Sequence, residues 1–364
     1  MVTTETEAQL LGLLQKLGPL SRQQLHQRTG LRPNTVGDIA GRLIQRGLLT
    51  EGEPQAVGPG RPRVPLQIDE SRCWVIGLAL EPGSVQGCRL NLQGRRLGRT
   101  LSEPVAEDQL ATDVAAGLLE RLTGDEAVAV GVTTTGLLDA ESRRILYSSA
   151  VPDHHPASTQ PIYDAADKLP LRFDNDMRAL AIRWQLTHPA SPSEDLLLVV
   201  LRDHAIGASL MIDGKPNRGC VVGGNELGFS HLPLGDRVVK LEDILSTAFL
   251  HELDPDTPGD LTTRIARSDP QDEALNQITR LLALGLANAS NFVRPHRLVL
   301  ASELTRHTRF YHALLGAMRE TLMGPVAERM RIDTWDEPLP QGAEAAGWLA
   351  LDMVYRPNSK VLML

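Results

Sequence analysis

Two short segments of the sequence carry side chains that can bind a polar ligand. In the first, Asn175 and Asp176 follow the run 171–174 and precede a stretch of helix-forming residues. We therefore predict that a short strand delivers this pair to the start of a helix. An acid at that place can accept hydrogen bonds from a ligand hydroxyl or remove its proton. The alternative is that Asp174 or Asp176 is an ordinary helix cap.

The second segment is a glycine-rich loop at residues 219–231. Its four glycines let the backbone come close to a ligand, and its polar side chains supply donors and acceptors at the same place. These polar residues are Asn225, Glu226, Ser230 and His231. Two apolar runs, 196–201 and 206–212, precede the loop and predict a hairpin of buried strands, followed by a tight turn at Asp213-Gly214. A surface loop without a ligand is the alternative.

The first 70 residues predict three short helices and a β-hairpin. Apolar residues at helical spacing place the first helix within residues 8–17. Ser21 and Gln24 can form a capping box for the second helix, and Gly30 can end it. Pro33 suits the first turn of a third helix. This helix pattern is typical of a helix-turn-helix head.

The third helix has an apolar stripe on one face and polar residues on the other, which is the pattern of a recognition helix in a major groove. Residues 57–66, after this helix, are rich in Gly, Pro and Arg. Such an extended strip can lay arginines along a minor groove, or it can be an interdomain linker, or both. A bundle that serves only for interaction is the alternative for the whole head. We expect DNA contacts from Arg22, Arg32, Asn34, Thr35, Arg42, Arg61 and Arg63.

Length and charge agree with a small basic head on a larger acidic body. A chain of 364 residues with 42% hydrophobic residues is long enough for two or three globular domains. Residues 1–68 contain eight Lys and Arg against five Asp and Glu, whereas the net charge of the chain is −8. The head is therefore net positive, which is compatible with a nucleic-acid-binding module.

Other sequence features argue against a membrane or secreted protein. The apolar runs are about six residues long, whereas a membrane-spanning helix needs about 20. The amino terminus, MVTTETEAQL, lacks the charged and apolar regions of a signal peptide. Cys73, Cys88 and Cys220 are too few and too scattered for a disulfide framework or a zinc site. We expect a cytoplasmic protein without metal or cofactor.

Several motifs resemble the ROK family, which contains transcriptional repressors and sugar kinases. In the head, Ser21-Arg22, Thr29-Gly30-Leu31 and Gly60-Arg61-Pro62 are similar to the family's winged helix-turn-helix. In the body, Asn175-Asp176 resembles the pair that grips the sugar in the family, and that aspartate is the base of the kinases. The resemblance covers nearly the whole chain and implies that the body senses a sugar.

The glycine-rich loop shares part of the family's sugar-binding pattern. Glu226-Leu227-Gly228 resembles the Gly-Glu-Ile-Gly-His loop of relatives, but Phe229 stands where histidine is expected, with His231 two residues later. Residues 235–240 replace the Cys-rich zinc loop of the family and contain no cysteine. Glu242 matches a later glutamate that contacts sugar in relatives. The resemblance implies a sugar site formed by Asn175, Asp176, Glu226, His231 and Glu242.

Three segments depart from the nucleotide-binding motifs of the kinases. Glu81-Pro82 stands in the turn where kinases carry Asp-x-Gly-x-Thr, which manages the metal and admits the phosphates. Arg202 and His204 would crowd a nucleotide at the second turn, and Ala301-Ser302 replaces the Gly-Gly beside the adenosine. The sequence therefore predicts a protein that is not an enzyme.

Together these features predict an α/β protein with an amino-terminal winged helix-turn-helix domain at 1–70 and a two-lobed, actin-like ATPase (ribonuclease H-like) body at 71–364. The lobes are expected at about 71–175 with the carboxyl-terminal helix, and at 176–340. The predicted function is that of a sequence-specific regulator, a repressor, that binds a double-stranded DNA operator under control of a sugar or sugar derivative, as a homodimer or homotetramer. The alternatives are a sugar kinase with a fused head, and a DNA-binding protein whose body only dimerises.

Overall fold

A computed structural model describes residues 3–55, 62–139, 141–151, 156–188, 194–202, 205–219, 224–256, 259–267, 269–340 and 342–356. The chain divides into two compact units, Met1–Pro189 with Pro340–Leu364, and Ala190–Leu339. In the described ranges, no helix is both long and apolar enough to cross a membrane.

The head has the three helices that the sequence predicts, and a small sheet. Its elements are α1 (Glu5–Leu17), β1 (Leu20–Ser21), α2 (Arg22–Thr29), α3 (Pro33–Gln45), β2 (Leu49–Glu51) and β3 (Pro65–Ile68). The strands pair antiparallel in the order β1-β3-β2, and the bridge between Gln55 and Arg63 continues the β2–β3 hairpin as a wing. The predicted winged helix-turn-helix is confirmed; the tip of the wing, including Arg61, lies outside the described residues.

Local capping explains where the helices of the head begin and end. The Ser21 hydroxyl accepts from the Gln24 amide while the Gln24 side chain accepts from the Ser21 amide, so the predicted capping box is present. Gly30 ends α2 in the left-handed conformation at φ 72°, which costs glycine little. Pro33 is in the first turn of α3, as predicted. Leu17 departs from the predicted apolar face, because it is 50% exposed.

The body of the first unit is a five-stranded sheet with helices on its faces. Its elements are β4 (Trp74–Glu81), β5 (Ser84–Asn91), β6 (Arg96–Pro104), α4 (Ala111–Leu122), β7 (Ala127–Thr134), β8 (Leu137–Asp139), β9 (Arg144–Tyr147), β10 (Ala157–Ser158), α5 (Gln160–Ala166), β11 (Leu171–Asn175) and α6 (Asp176–Thr187). The order is β11-β7-β4-β5-β6, with a β4–β5–β6 meander and parallel β4, β7 and β11. Parallel strands place their carboxyl ends at one edge, where α/β folds bind ligands.

The second unit repeats a mixed five-stranded sheet. Its elements are β12 (Leu196–Arg202), β13 (Ala205–Ile212), β14 (Lys215–Pro216), β15 (His231–Leu234), β16 (Arg237–Lys240), α7 (Thr247–Leu253), α8 (Leu261–Arg267), α9 (Glu273–Val293), β17 (Arg297–Ala301), α10 (Thr308–Thr321), α11 (Gly324–Arg329) and β18 (Arg331–Thr334). The order is β14-β13-β12-β17-β18. The predicted hairpin is confirmed, and Asp213 and Gly214 both have positive φ, at 48° and 72°, as a two-residue hairpin turn requires.

The carboxyl-terminal helix α12 (Ala343–Tyr355) returns to the first unit and lies directly on its sheet. A Cβ atom at Gly77 would lie 2.0 Å from the Ala343 carbonyl oxygen, and one at Gly131 would lie 2.0 Å from that of Ala346. Only glycine lets the helix backbone approach β4 and β7 this closely. The helix also contacts α6 and α1. Because α6 packs here, the first unit extends past the boundary that the sequence predicts at residue 175.

Candidate ligand-binding and DNA-binding residues

Asn175 and Asp176 lie at the junction of β11 and α6, the strand-to-helix position that the sequence predicts. Asn175 caps the helix: its Oδ1 accepts from the Met177 amide at 2.9 Å, and its Nδ2 donates to the Gly136 carbonyl at 3.1 Å. Asp176 is the first residue of α6 and is half-buried. The cap is thus supplied by Asn175, and Asp176 lies in the first turn of the helix, at the positive end of the helix dipole.

Side-chain hydroxyls line the neighbouring strand end. Thr134 is the parallel partner of Asn175, and its Oγ1 lies 2.9 Å from the Ser148 Oγ. Thr135 Oγ1 lies 3.2 Å from the Ser148 Oγ and 3.1 Å from the Ser149 Oγ. Thr134 and Ser148 are each 1% exposed and bond to each other, so only Thr135, which is half-buried, and Ser149, which is exposed, present hydroxyls at the surface of this cluster. This cluster was not predicted from the sequence, although the neighbouring pairs Thr134-Thr135 and Ser148-Ser149 are a visible signal.

A group of four buried charged side chains lies next to the junction of β11 and α6. Asp174 accepts from Arg178 Nη1 at 2.7 Å and from Arg172 Nη2 at 3.1 Å, and Arg172 Nη1 donates to Asp352 at 2.7 Å. All four side chains are at most 7% exposed. Burial alone would lower the pKa of the Arg172 guanidinium, but Asp174 and Asp352 together raise it above its usual value. Arg172 is therefore charged, and the two arginines balance the two aspartates.

This group of buried charges was also not predicted from the sequence, although Arg172 and Asp352 each stand out in their own segment. Arg172 interrupts a short buried strand, and Asp352 stands in an otherwise apolar helix. A charge in such a run is rarely buried without a partner. The partner is 180 residues away in the chain, so only the fold brings the two together.

In the second unit, Glu226 and Glu242 lie on two segments that meet at Gly228. Glu226 precedes the short 3-10 turn Leu227–Phe229 and is exposed. The Glu242 amide donates to the Gly228 carbonyl at 3.1 Å, and a Cβ atom at Gly228 would lie 2.6 Å from Glu242 Oε2. Glycine is required at position 228, because a Cβ atom there would also lie 2.5 Å from the Ile206 carbonyl oxygen, and the two glutamates thus lie on adjoining segments.

The histidine of the loop lies on the β15–β16 hairpin. His231 is exposed and pairs across the hairpin with Lys240, whose ammonium forms an ion pair with Glu242. The same ammonium lies 3.7 Å from the ring centroid of Phe229, a cation–π contact, and Phe229 is 52% exposed. Lys240 thus joins the residue that replaces the expected histidine to one of the predicted sugar contacts.

The segment that replaces a zinc loop does not fit a zinc ion. Residues 235–240 form the turn and second strand of the β15–β16 hairpin, and Gly235 makes the turn at φ 60°. The segment offers neither thiolate nor imidazole, the ligands that zinc prefers. Within the described parts of the chain, no group of three or more His, Cys, Asp or Glu is arranged to hold a metal.

Two of the segments that correspond to nucleotide motifs make contacts of their own. Glu81 accepts from Gln86 Nε2 at 2.8 Å, and both side chains lie where a Cβ atom at Gly342 would be. Ser302 is buried; its Oγ accepts from the Leu304 amide at 3.1 Å. His204 lies outside the described residues.

The predicted DNA contacts differ in how free their side chains are. Arg32 and Asn34 are exposed at the start of α3, Thr35 beside them is half-buried, and Arg63 is exposed on the wing. Arg22 forms an ion pair with Glu51 at 2.8 Å, and Arg42 donates to Glu7 at 3.3 Å. The start of α3 and the wing thus present exposed polar side chains, whereas Arg22 and Arg42 are engaged by Glu51 and Glu7.

Comparison with known proteins agrees with this architecture. Residues 102–352 match the ROK family. The chain is 23% identical over 335 residues, or 84% of its length and 82% of the relative's, to the DNA-binding transcriptional dual regulator NagC of Escherichia coli K12. The same identity and coverage relate it to the N-acetylglucosamine repressor of Escherichia coli O6:H1.

Two solved structures show the same fold. The crystal structure of a ROK family transcriptional regulator, a homologue of the E. coli MLC protein, superposes with a TM-score of 0.74 at 20% identity and covers 96% of both chains. The ROK hexokinase of Thermus thermophilus has a TM-score of 0.61 at 24% identity, covering 78% of this chain and 98% of the hexokinase. The protein belongs to the ROK family, and it joins a winged helix-turn-helix head to an actin-like body.

Proposed function

We propose that the protein is a sequence-specific DNA-binding transcriptional regulator, a repressor, whose affinity for its operator is controlled by a sugar or sugar derivative bound by the body. One observation carries this proposal. The first turn of α3 exposes polar side chains that can contact DNA, and the same chain places Asn175 and Asp176 where β11 meets α6. The names of the relatives, a dual regulator and an N-acetylglucosamine repressor, support it. They also favour hexoses and amino sugars as the first effectors to test.

The sugar contacts are proposed to be Asn175, Asp176, Glu226, Glu242 and His231. The accessible hydroxyls of Thr135 and Ser149, near Asn175, are added to this set. A sugar carries several hydroxyls, so specific binding needs several paired donors and acceptors. The proposed DNA contacts are Arg32, Asn34, Thr35 and Arg63, together with Arg22, Arg42 and Arg61. A homodimer or homotetramer would place two heads on half-sites about one helical turn apart.

Replacement of Asn34 is expected to relax sequence preference, and replacement of Arg63 to weaken binding to every duplex. An asparagine near the start of a recognition helix reads a base edge, which is worth about 1–3 kcal/mol of discrimination. A wing arginine neutralises phosphate, so Arg63→Ala should also reduce the slope of log affinity against log salt by about one. Binding isotherms on selected and scrambled duplexes at several salt concentrations measure both effects.

Arg99→Ala is the control for these variants, because Arg99 is an exposed arginine on β6 of the body. It should leave affinity, sequence preference and salt slope unchanged. Wild-type behaviour of both Asn34→Ala and Arg63→Ala would exclude the head from DNA recognition.

The competing function, a sugar kinase with a fused head, is tested by ATP turnover. Phosphoryl transfer depends on positioned phosphates and metal, and Glu81, bonded to Gln86, stands where the kinases carry the aspartate of the first phosphate turn. We expect no ADP release with glucose, mannose or N-acetylglucosamine, and no heat of nucleotide binding in calorimetry. Sugar-dependent ADP release in a coupled assay would show that the protein is a sugar kinase.

A further inference from the structure

A line of buried bonds leaves the Asn175–Asp176 junction and reaches helix α12. Asp174, next to the junction, shares Arg172 with Asp352 of α12, at 3.1 and 2.7 Å. On its other oxygen Asp352 pairs with Arg356, which also donates to Gln185 of α6. Two helices, α6 and α12, are thereby held to each other and to the strand that carries the proposed sugar contacts.

The same two helices hold the first helix of the head. The buried Thr3 hydroxyl donates to the Val354 carbonyl of α12 at 2.7 Å. Gln15 Nε2 of α1 donates to the Leu186 carbonyl at 3.0 Å, in the last turn of α6. Helix α6 therefore begins at the Asn175 cap and ends on the DNA-binding head.

Within the head, α1 is bonded to the end of the recognition helix. The Glu7 carboxylate, on a residue only 3% exposed, accepts from Arg42 at 3.3 Å and from Arg46 at 3.1 Å. Burial would raise the pKa of Glu7, but the Thr4 amide and the two arginines hold it below its usual value, so the ion pairs persist at neutral pH. A movement of α1 must therefore move α3 or break the ion pairs of the buried Glu7 carboxylate with Arg42 and Arg46.

We propose that α6 and α12 relay sugar binding at Asp176 to α1, and through Glu7 to the recognition helix α3. Close-packed interiors transmit small displacements rather than absorb them, and a helix moves as a rigid body. The inference rests on the proposed function, since it names how that function is regulated. Thr3, just before α1, and Gln15, near its end, hydrogen-bond to the body, and neither is itself a proposed sugar or DNA contact.

The double variant Thr3→Val, Gln15→Ala tests this relay. Both changes delete one hydrogen bond, and valine keeps the shape of threonine. The matched control is Thr6→Val, Gln9→Ala, which makes the same substitutions on α1 at a half-buried and an exposed position. The probe is whichever of glucose, N-acetylglucosamine and their 6-phosphates raises the melting temperature of the wild type most.

Calorimetry then gives the affinity for the probe, and DNA-binding isotherms with and without the probe give the coupling. We expect both double variants to bind the probe with wild-type affinity. Coupling, the ratio of the DNA affinities without and with the probe, should stay at the wild-type level in the control and fall to less than about twofold in Thr3→Val, Gln15→Ala. Allosteric couplings are typically about 5- to 150-fold. Full coupling in Thr3→Val, Gln15→Ala would overturn the relay alone. A wild type that binds none of the probes would overturn the proposed function together with the relay.

Discussion

Asp176→Asn is expected to abolish the response of DNA binding to sugar in a protein that stays folded and still binds DNA. Asp176 is half-buried at the first position of α6, where a carboxylate can accept hydrogen bonds from sugar hydroxyls. A hydrogen bond to a charged group contributes about 1.5–3 kcal/mol, so each lost bond costs about tenfold or more in affinity. Calorimetry with the sugar and DNA-binding isotherms with and without it measure the loss.

Two further variants make this result specific. Asp113→Asn removes the same charge from the first turn of α4, at an exposed position, and should leave the sugar response intact. His231→Ala tests whether the histidine on the β15–β16 hairpin contributes. If DNA binding by Asp176→Asn still responds normally to sugar, the sugar site lies elsewhere or is absent. If only His231→Ala responds normally, the loop has lost its histidine contact with the sugar.

Asp352→Ala is expected to lower the free energy of unfolding by about 3–5 kcal/mol, because it leaves a net positive charge among side chains that are almost fully buried. Arg172 keeps Asp174, but that carboxylate is already shared with Arg178. The midpoint of urea unfolding, followed by circular dichroism, reports the change.

The double variant Arg172→Met, Asp352→Leu is the control for this charge argument. It removes one charge of each sign and leaves the Arg178–Asp174 pair balanced, and the partly exposed Arg356 loses its pairing with Asp352 in both variants alike. Buried ion pairs replaced by apolar residues often cost little stability. We expect it to be clearly more stable than Asp352→Ala. Equal instability of the two variants would show that packing, rather than charge balance, makes Asp352 necessary.

Features with local causes were predictable from the sequence. The capping box at Ser21, the helix start at Pro33 and the turn at Asp213-Gly214 depend on residues within a few positions of one another, and the structure confirms all three. The strand-to-helix placement of Asn175 was predictable in the same way. Which side chain supplies the cap was not, because Asn175, Asp174 and Asp176 can all accept the amide hydrogen bonds.

Features that depend on distant parts of the chain were not predictable. Arg172 and Asp352 are 180 residues apart, and nothing near either one identifies the other. The close packing of the α12 backbone against Gly77 and Gly131 depends on the order of the strands in the sheet. The exposure of Leu17, at the end of a regular apolar pattern, depends on what packs against the last turn of α1.

The most direct test of the account is DNA binding by the full chain with and without sugar. Duplexes are selected from a randomised library, and the recovered sequence is titrated in the absence and presence of the sugar that most raises the melting temperature. A sugar-controlled repressor is expected to enrich one sequence with two related half-sites and to change its affinity at least about fivefold when the sugar is added. No enriched sequence, or the same dissociation constant in both titrations, would contradict this expectation.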